Sequence, residues 1–260
     1  MSAIRTSSAA SIAVRPPWWP DLSRRGVDLV ELMDDPGCDL GLLNATYRAF
    51  PVVNGLVAGW RRVYLRRLRP VLSAEKVTRL LDLGSGGGDL ARALSDWARR
   101  DGLALEVVAV DPDDRAHAFA VSRPVPPGVD FRRASSTELV AAGETFDVVV
   151  SNHVLHHLDD EARAAVLDDS SRLATRLVLH ADIERARGAY LAYRAATWPW
   201  RTRSFVHVDG LLSIRRSFTA DELVDVAPPG WRVVRQWPFR LLLVREIGVD
   251  APGGAGRADA

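Results

Sequence analysis

The stretch that decides the fold is Leu80-Leu81-Asp82-Leu83-Gly84-Ser85-Gly86-Gly87-Gly88-Asp89. It begins as an apolar strand, runs into an aspartate, continues with glycines at alternate positions and ends where a helix begins. Glycine carries no Cβ, so the backbone can turn tightly and approach a ligand there, and the N–H groups of the following helix face the same point. The stretch predicts a ligand-binding turn between the first strand of a sheet and its helix.

A second carboxylate follows the next strand, where Val108-Ala109-Val110 ends in Asp111. At the tip of a parallel strand such a group can accept hydrogen bonds from both hydroxyls of a ribose. NAD enzymes use the spacing G-x-G-x-x-G, whereas here the spacing is G-x-G-x-G and Asp82 lies two residues before the first glycine. The pattern favours a nucleoside cofactor and argues against an NAD oxidoreductase. A purely structural strand-to-helix turn is the alternative.

From residue 77 onward, apolar strands alternate with helices. Strands are predicted over 78–83, 105–110, 129–132, 146–151 and 175–180. The helices between them are predicted over 89–100, 113–121, 137–142 and 159–173. Residues 231–236 and 239–245 flank Trp237-Pro238 and predict a closing antiparallel hairpin. This order predicts an α/β fold, with a Rossmann-like, seven-stranded and mostly parallel sheet whose last strand is antiparallel.

The rest of the chain divides around this α/β domain, which we place at 77–247. Residues 1–26 are rich in Ser, Ala, Arg and Pro and predict a disordered tail, although the Pro-Pro-Trp-Trp-Pro sequence at 16–20 leaves packing on the body open. Residues 27–76 carry apolar residues at helical spacing and predict an N-terminal helical cap. Residues 184–217, rich in aromatic residues and arginine, predict a lid inserted after the fifth strand. Residues 248–260 predict a second disordered tail.

The composition limits the kind of protein. The chain has 260 residues, of which 47% are hydrophobic and 26% charged, as expected of a globular enzyme and not of a disordered chain. A net charge of +1, from 34 basic and 33 acidic residues, argues against a nucleic-acid-binding protein. The sequence contains no run of about 18 apolar residues, so it predicts no membrane-spanning helix. The single cysteine, Cys38, forbids an internal disulfide and fits a cytoplasmic location.

The glycine turn with Asp82 and Asp111 resembles the class I S-adenosylmethionine-dependent methyltransferases, over about residues 77–180. The resemblance implies S-adenosylmethionine as the cofactor and 77–247 as a methyltransferase domain. It implies these cofactor contacts: Gly84, Ser85, Gly86 and Gly88 along the methionine part, Asp82 at its amino end, Asp111 at the ribose, and Pro112 beside the adenine. The family often has an aspartate near the adenine amine after the third strand. This chain has Ser135 and Ser136 there, so one of them is expected to substitute.

His153, His156 and His157 follow the fourth predicted strand. Residues at this exit of a parallel sheet face the reaction crevice, and methyl transfer to a hydroxyl needs a base, which imidazole can supply near neutral pH. Residues 154–161 resemble a segment of ubiquinone- and menaquinone-pathway methyltransferases and of phenol O-methyltransferases. The resemblance implies that His156 is the catalytic base, with His157 in place of an aspartate, and Asn152 and His153 bordering the cofactor. The alternative is that His156 and His157 only cap the next helix or pack beneath it.

Two further resemblances lie outside these motifs. Residues 54–64 are similar to a segment of quinone methyltransferases, which implies that Arg62 reaches the cofactor carboxylate, a group that a guanidinium binds well. The alternative is a solvated basic face that touches anionic lipid, made of Arg61, Arg62, Arg66, Arg67 and Arg69. Residues 207–216 are similar to a segment of bacterial methyltransferases found with type III polyketide synthases that make phenolic lipids. His180 and His207 are alternative bases or ordinary polar residues.

Together the resemblances imply methyl transfer from S-adenosylmethionine to a hydroxyl of a small aromatic acceptor, a phenolic lipid or polyketide such as an alkylresorcinol. The protein would mainly align donor, methyl carbon and acceptor, because the sulfonium already activates the methyl group. We expect no metal, no nucleic acid and at most peripheral membrane contact, and we leave a homodimer open. Two alternatives remain: C-methylation of a quinone precursor, and a non-catalytic cofactor-binding protein.

Overall fold

A seven-stranded sheet forms the centre of the molecule, in a computed structural model that describes residues 16–248. The strands are β1 (Thr78–Leu83), β2 (Leu105–Val110), β3 (Val129–Arg132), β4 (Phe146–Asn152), β5 (Ala174–Ile183), β6 (Arg232–Gln236) and β7 (Arg240–Glu246). They lie in the order β3-β2-β1-β4-β5-β7-β6. Neighbours among β1–β5 pair in parallel, and β7 is antiparallel to β5 and β6. The predicted sheet is confirmed.

Helices cover both faces of the sheet. They are α1 (Leu40–Val57), α2 (Trp60–Val63), α3 (Asp89–Arg100), α4 (Asp114–Val121), α5 (Ser136–Ala141), α6 (Asp160–Leu173), α7 (Arg187–Thr197), α8 (Val206–Arg216) and α9 (Ala220–Val226). Side chains alternate between the faces of a strand, so successive residues Leu80 and Leu81 on β1 lie in two different hydrophobic cores. Both faces of the central strands are therefore buried, which explains their nearly continuous apolar sequences.

Strand β5 is longer than the sequence predicts. It was expected to end at His180, but Ala181, Asp182 and Ile183 continue it by pairing with Leu242, Leu241 and Arg240 of β7. The extension depends on a strand that lies far along the chain, which local sequence does not report. As a result His180 lies inside the strand, and Asp182 takes the position near the tip.

The N-terminal helices and the insertion after β5 pack against each other over the carboxyl edge of the sheet. Ala49 and Val53 of α1 share a hydrophobic cluster with Tyr190 and Tyr193 of α7 and with Leu211 of α8. Short 3-10 turns at Leu32–Asp34 and Trp198–Trp200 complete this layer. The helical cap and the insertion therefore form one roof over the edge where ligands bind in parallel sheets.

The segment 16–26 packs on this roof, which corrects the predicted tail at 1–26. Tyr190 Oη donates a 2.6 Å hydrogen bond to the carbonyl of Pro17, and the Gly26 N–H donates one of 2.9 Å to the carbonyl of Arg215. The guanidinium of Arg194 lies 3.8 Å from the centre of the Trp18 ring. Backbone and cation–π contacts thus hold this segment in place. The rest of that tail, 1–15, and residues 249–260 of the second one lie outside the described residues.

Within 16–248, no helix combines the length and the apolar character that crossing a bilayer requires.

Candidate active site

A cavity of about 520 Å³ lies between the carboxyl edge of the sheet and the helical roof. This volume is typical of small-molecule sites. Its floor comes from the ends of β1, β2 and β4, and its roof comes from α1, α7 and α8. Predicted site residues that line it are Asp82, Gly84, Ser85, Gly86, Asp111, Pro112, Asn152 and His153. The topology therefore brings most of the predicted cofactor residues together.

The glycine turn has a backbone that favours glycine. Gly84, Gly86 and Gly88 have φ angles of 66°, 52° and 75°, in the left-handed region. A Cβ on Gly84 would lie 2.6 Å from Cγ2 of Val154, and one on Gly88 would overlap the ring of Phe131. Gly88 does not line the cavity: it is the N-cap of α3 and packs on that ring. Its role is therefore to let the helix begin close to the sheet.

Asp82 presents a buried carboxylate to the cavity. The residue is 1% exposed, and neither of its oxygens has a hydrogen-bond partner among the described residues. Burial and the charges of Asp89 and Asp111 raise its pKa well above the ordinary value. A buried carboxylate without partners is costly unless a ligand supplies a donor or a positive charge. The amino group of S-adenosylmethionine is such a group, so this orphaned carboxylate fits the predicted cofactor.

Asp111 ties the second strand to the glycine turn. Its Oδ2 accepts a 2.8 Å hydrogen bond from the N–H of Gly86, and its Oδ1 accepts one of 2.9 Å from the N–H of Asp113. Burial is the main cause that raises its pKa above the usual range. Each oxygen keeps a second lone pair, so the carboxylate can still accept hydrogen bonds from a ligand such as a ribose.

Asn152 and His153 are held by a buried arginine at the exit of β4. Arg240 is 1% exposed and donates to Asn152 Oδ1 at 2.8 Å and to His153 Nε2 at 2.9 Å. Burial and the charge of Arg240 lower the pKa of His153 to about 4, so its imidazole is neutral. His153 has a φ of 58°, which turns the chain into the 3-10 turn Leu155–His157.

His156 lies behind the cavity wall, which corrects its prediction as the base that contacts the acceptor. Its side chain is 0% exposed and does not line the cavity. Nδ1 lies 2.7 Å from Asp182 Oδ1, and Nε2 lies 3.4 Å from Glu31 Oε1. Burial lowers its pKa, but the charges of Asp182 and Glu31 outweigh that effect and raise the pKa to about 9. The histidine of this turn that faces the cavity is His157.

His157 belongs to an acidic part of the wall that the sequence did not reveal. Its side chain is 27% exposed, and its Nδ1 lies 3.1 Å from Asp34 Oδ2. Glu31, Asp34 and Asp209 line the cavity beside it. Asp209 accepts hydrogen bonds from the N–H groups of Leu32 (2.8 Å) and Met33 (3.0 Å), and so fixes the segment that carries the other two acids. No motif marks these acids, because tertiary packing alone assembles them.

Besides Gly88, two predicted cofactor residues, Ser135 and Arg62, lie outside the cavity lining. Ser135 is the N-cap of α5 in a capping box with Glu138, and its hydroxyl is used there. Its neighbour Ser136 donates a 2.7 Å hydrogen bond to Asp169. Arg62 donates to the carbonyl of Trp237 at 3.3 Å and is not among the cavity-lining residues. The structure therefore does not support contacts of Ser135 or Arg62 with a ligand in this cavity.

The two other histidines considered as bases are also buried away from the cavity. His180 Nδ1 lies 2.7 Å from the hydroxyl of Ser151, and its ring stacks on Trp231. His207 Nδ1 lies 2.9 Å from the hydroxyl of Thr197. Neither lines the cavity, so both are structural polar residues here.

Comparisons with known proteins relate part of this chain to methyltransferases. Residues 80–176 match the family described as a methyltransferase domain. A ubiquinone biosynthesis O-methyltransferase from Rhizobium etli (strain CIAT 652) is 39% identical over 84 residues, which are 32% of this chain and 32% of that protein. The alignment therefore spans about a third of the length of this curated relative.

Solved methyltransferases share the fold. Human N-acetylserotonin methyltransferase in complex with S-adenosylmethionine has a TM-score of 0.56 and 14% identity, covering 81% of this chain and 57% of that one. The CMeT domain of the citrinin polyketide synthase has a TM-score of 0.53 and 14% identity, covering 76% of this chain and 54% of that one. At such identities the likeness concerns the fold alone.

Residues 80–176 thus match a methyltransferase domain, and the sheet has the fold of solved S-adenosylmethionine-dependent methyltransferases. The domain match and the orphaned carboxylate of Asp82 support S-adenosylmethionine as the cofactor. Curated relatives that align with part of this region include O-methyltransferases of ubiquinone biosynthesis.

Proposed function

We propose that this chain transfers a methyl group from S-adenosylmethionine to a hydroxyl of a small aromatic acceptor with an apolar tail, a phenolic lipid of the alkylresorcinol kind. Asp82, Asp111 and the glycine turn are suited to the donor. The remaining lining combines aromatic and apolar side chains with a polar end that holds His157, Glu31 and Asp34. The partial alignment with O-methyltransferases supports transfer to oxygen and not to carbon.

Aromatic side chains of the roof suit a planar acceptor. Tyr47 and Phe50 of α1 line the cavity with their rings edge to face, 5.9 Å apart between centroids. Tyr193 of α7 lines it as well, and its hydroxyl already donates a 2.9 Å hydrogen bond to the carbonyl of Val206. These rings therefore offer apolar surface, against which an aromatic acceptor packs favourably.

A second, apolar cavity supports the presence of a tail, and it is the observation that carries this part of the proposal. It has a volume of about 220 Å³ and shares Val57, Ile183 and Tyr193 with the first cavity. Its other lining residues are also apolar: Ala189, Ala192, Ala196, Pro238 and Phe239. A tail attached to a ring in the first cavity could continue past Tyr193 into the second.

The acceptor hydroxyl has to lose its proton before or during transfer. S-adenosylmethionine supplies a methyl group that its sulfonium already activates. Of the described cavity-lining groups, His157 and Glu31 are suited to act on the hydroxyl, since His157 is oriented by Asp34 and Glu31 accepts a 2.8 Å hydrogen bond from Ser213. We propose that His157 and Glu31, and not His156, activate the acceptor hydroxyl at this end of the cavity.

The test is a methyl-transfer assay with labelled S-adenosylmethionine against resorcinol, a short-chain 5-alkylresorcinol and a long-chain 5-alkylresorcinol. We expect KM to fall with chain length, by up to about fourfold for each buried methylene, because one CH₂ contributes about 0.8 kcal/mol. Equal KM values for the three acceptors would contradict the tail, and no methylation of any of them would contradict the function.

A bulky substitution in the second cavity distinguishes binding of the acceptor's tail from binding of its ring. Ala192 lines the second cavity, so Ala192→Trp should raise KM for the long-chain acceptor about tenfold or more and leave resorcinol nearly unchanged. Ala195→Trp is the matched control, because Ala195 lies on the same helix and does not line either cavity. An equal rise in KM for both acceptors in Ala192→Trp would show that the second cavity does not hold the tail.

A further inference from the structure

Glu31, His156 and His157 bring three potential metal ligands to one point of the cavity wall. Each offers one ligand atom, and these atoms lie within 4.8 Å of one another. Glu31 Oε1 is 3.4 Å from His156 Nε2 and 3.7 Å from His157 Nε2. A tetrahedral ion with bonds of 2.0–2.1 Å separates its ligand atoms by about 3.4 Å. The cluster therefore needs only small side-chain movements to close on an ion.

The carboxylates that face the other ring nitrogens of His156 and His157 are also arranged as in a metal site. The Nδ1 atoms of both histidines face carboxylates, at 2.7 Å from Asp182 and 3.1 Å from Asp34. A metal-binding histidine usually donates its other ring N–H to a carboxylate, which fixes the tautomer and the ring orientation. Here that arrangement turns both Nε2 atoms toward Glu31, whose Oε1 is held by the Ser213 hydroxyl at 2.8 Å.

The Nε2 atom of His156 is a buried polar atom that makes no hydrogen bond within the described part of the chain, although Glu31 Oε1 lies 3.4 Å from it. The side chain is 0% exposed. Leaving such an atom without a hydrogen bond destabilises the folded protein. This atom is aimed at the same point as the other two ligand atoms, so a bound cation would satisfy it.

Charge also favours a cation at this point. Glu31, Asp34 and Asp182 surround the two imidazoles, and the arginine at this end of the site, Arg216, is bound to Asp34 at 3.4 Å. A neighbouring group of His153, His156 and Asp182 is less suitable. His153 Nε2 accepts a hydrogen bond from Arg240 at 2.9 Å, so Nδ1, the atom 3.7 Å from Asp182, carries the proton of the neutral imidazole.

We propose that Glu31, His156 and His157 bind one divalent transition-metal ion of the Zn²⁺ type. Two imidazoles and one carboxylate suit Zn²⁺ or Co²⁺ and do not suit Mg²⁺, which prefers oxygen ligands. Three protein ligands would leave a coordination position open, and an acceptor in the cavity would be able to occupy it, because Glu31 and His157 line the cavity. A hydroxyl bound there would have a lower pKa. This last consequence rests on the proposed function, whereas ion binding does not.

Calorimetry with tag-free, chelator-treated protein tests the binding. We expect one equivalent of ZnCl₂ to bind, CoCl₂ to bind with the visible absorption of tetrahedral Co²⁺, and MgCl₂ not to bind. His157→Ala and the isosteric Glu31→Gln should each weaken Zn²⁺ binding about 100-fold or more. His117→Ala, a histidine of α4 outside the cluster, is the matched control and should bind Zn²⁺ like the wild type.

The proposal is overturned if the wild type binds no stoichiometric Zn²⁺, or if both cluster variants bind it as the wild type does. The first result would mean that a proton on His156, held between Asp182 and Glu31, takes the place of the ion. Methylation assays before and after Zn²⁺ is restored keep the two proposals apart. Zn²⁺ binding without methylation of any phenol would support the metal site and contradict the proposed function. Full activity of protein that binds no Zn²⁺ would support the proposed function and contradict the metal site.

Discussion

The carboxylate of Asp111 accepts a 2.8 Å hydrogen bond from the backbone N–H of Gly86 and thereby joins the tip of β2 to the glycine turn after β1. The same side chain faces the cavity. One residue thus shapes the turn and keeps free lone pairs at the cavity, so we expect cofactor affinity to depend on it strongly.

Asp111→Ala should weaken binding of S-adenosylhomocysteine about tenfold to 100-fold, because hydrogen bonds to a charged group contribute roughly 1.5–3 kcal/mol. Isothermal titration measures the change. Asp114→Ala is the control, since Asp114 lies at the start of α4, outside the cavity-lining set, in an exposed ion pair with Arg133. Equal affinity of both variants would show that Asp111 does not contact the cofactor.

Gly84→Ala should abolish measurable cofactor binding and lower the melting temperature, because the added Cβ would lie 2.6 Å from Val154 in a backbone with φ 66°. Gly143→Ala is the matched control: its φ is 70°, and nothing lies within 4 Å of the added Cβ. Gly143→Ala should lower the free energy of unfolding by only about 1 kcal/mol and keep the wild-type affinity for the cofactor. Adding Val154→Ala to Gly84→Ala should restore part of the binding, and a Gly84→Ala variant with wild-type affinity would refute this account of the turn.

His157→Ala should lower kcat for a phenolic acceptor about 100-fold or more and leave S-adenosylhomocysteine affinity within about twofold, because His157 lines the end of the cavity where we propose that the acceptor hydroxyl is activated. Steady-state kinetics and calorimetry provide the two readouts. His117→Ala should change neither. Unchanged kcat in His157→Ala would mean that the hydroxyl is activated elsewhere or that alignment alone suffices.

Acid should destabilise the fold through His180. Burial lowers the pKa of His180 from 6.5 to about 4, so the unfolded chain takes up a proton below pH 6.5 while the folded chain does not. The contribution of His180 to the free energy of unfolding is fully present above pH 6.5. It falls by up to about 3 kcal/mol as the pH is lowered toward 4. His180→Asn keeps an acceptor for Ser151 without titrating. Denaturant unfolding should therefore show a smaller loss between pH 7 and 4.5 in this variant, and parallel losses would contradict the assignment.

The sequence predicted β1, β2 and β3 to the residue, because β1 and β2 are mainly apolar and β3 alternates apolar with charged residues. It placed Asp82, Asp111 and the glycine turn in one site, since the carboxyl ends of adjacent parallel strands must meet. It also held a signal that argues against Ser135 as a cofactor ligand, namely the S-x-x-E capping box formed with Glu138.

The choice between His156 and His157 was beyond the sequence. Both lie in one short turn, and their environments depend on Asp182, on Glu31 and on the rotation of that turn. Glu31 reaches the cavity because α8, through Asp209, holds the segment that follows it. Such long-range contacts leave no periodic or motif signal in the sequence.

Transfer to a phenolic oxygen is the central claim, and the fate of a ¹³C-labelled methyl group tests it most directly. The purified chain is incubated with ¹³C-methyl S-adenosylmethionine and a long-chain alkylresorcinol, and the product is examined by NMR. We expect one ¹³C signal with the chemical shift of an aryl methyl ether. A label on a ring carbon, or an unlabelled phenol although the protein binds the cofactor, would contradict the claim.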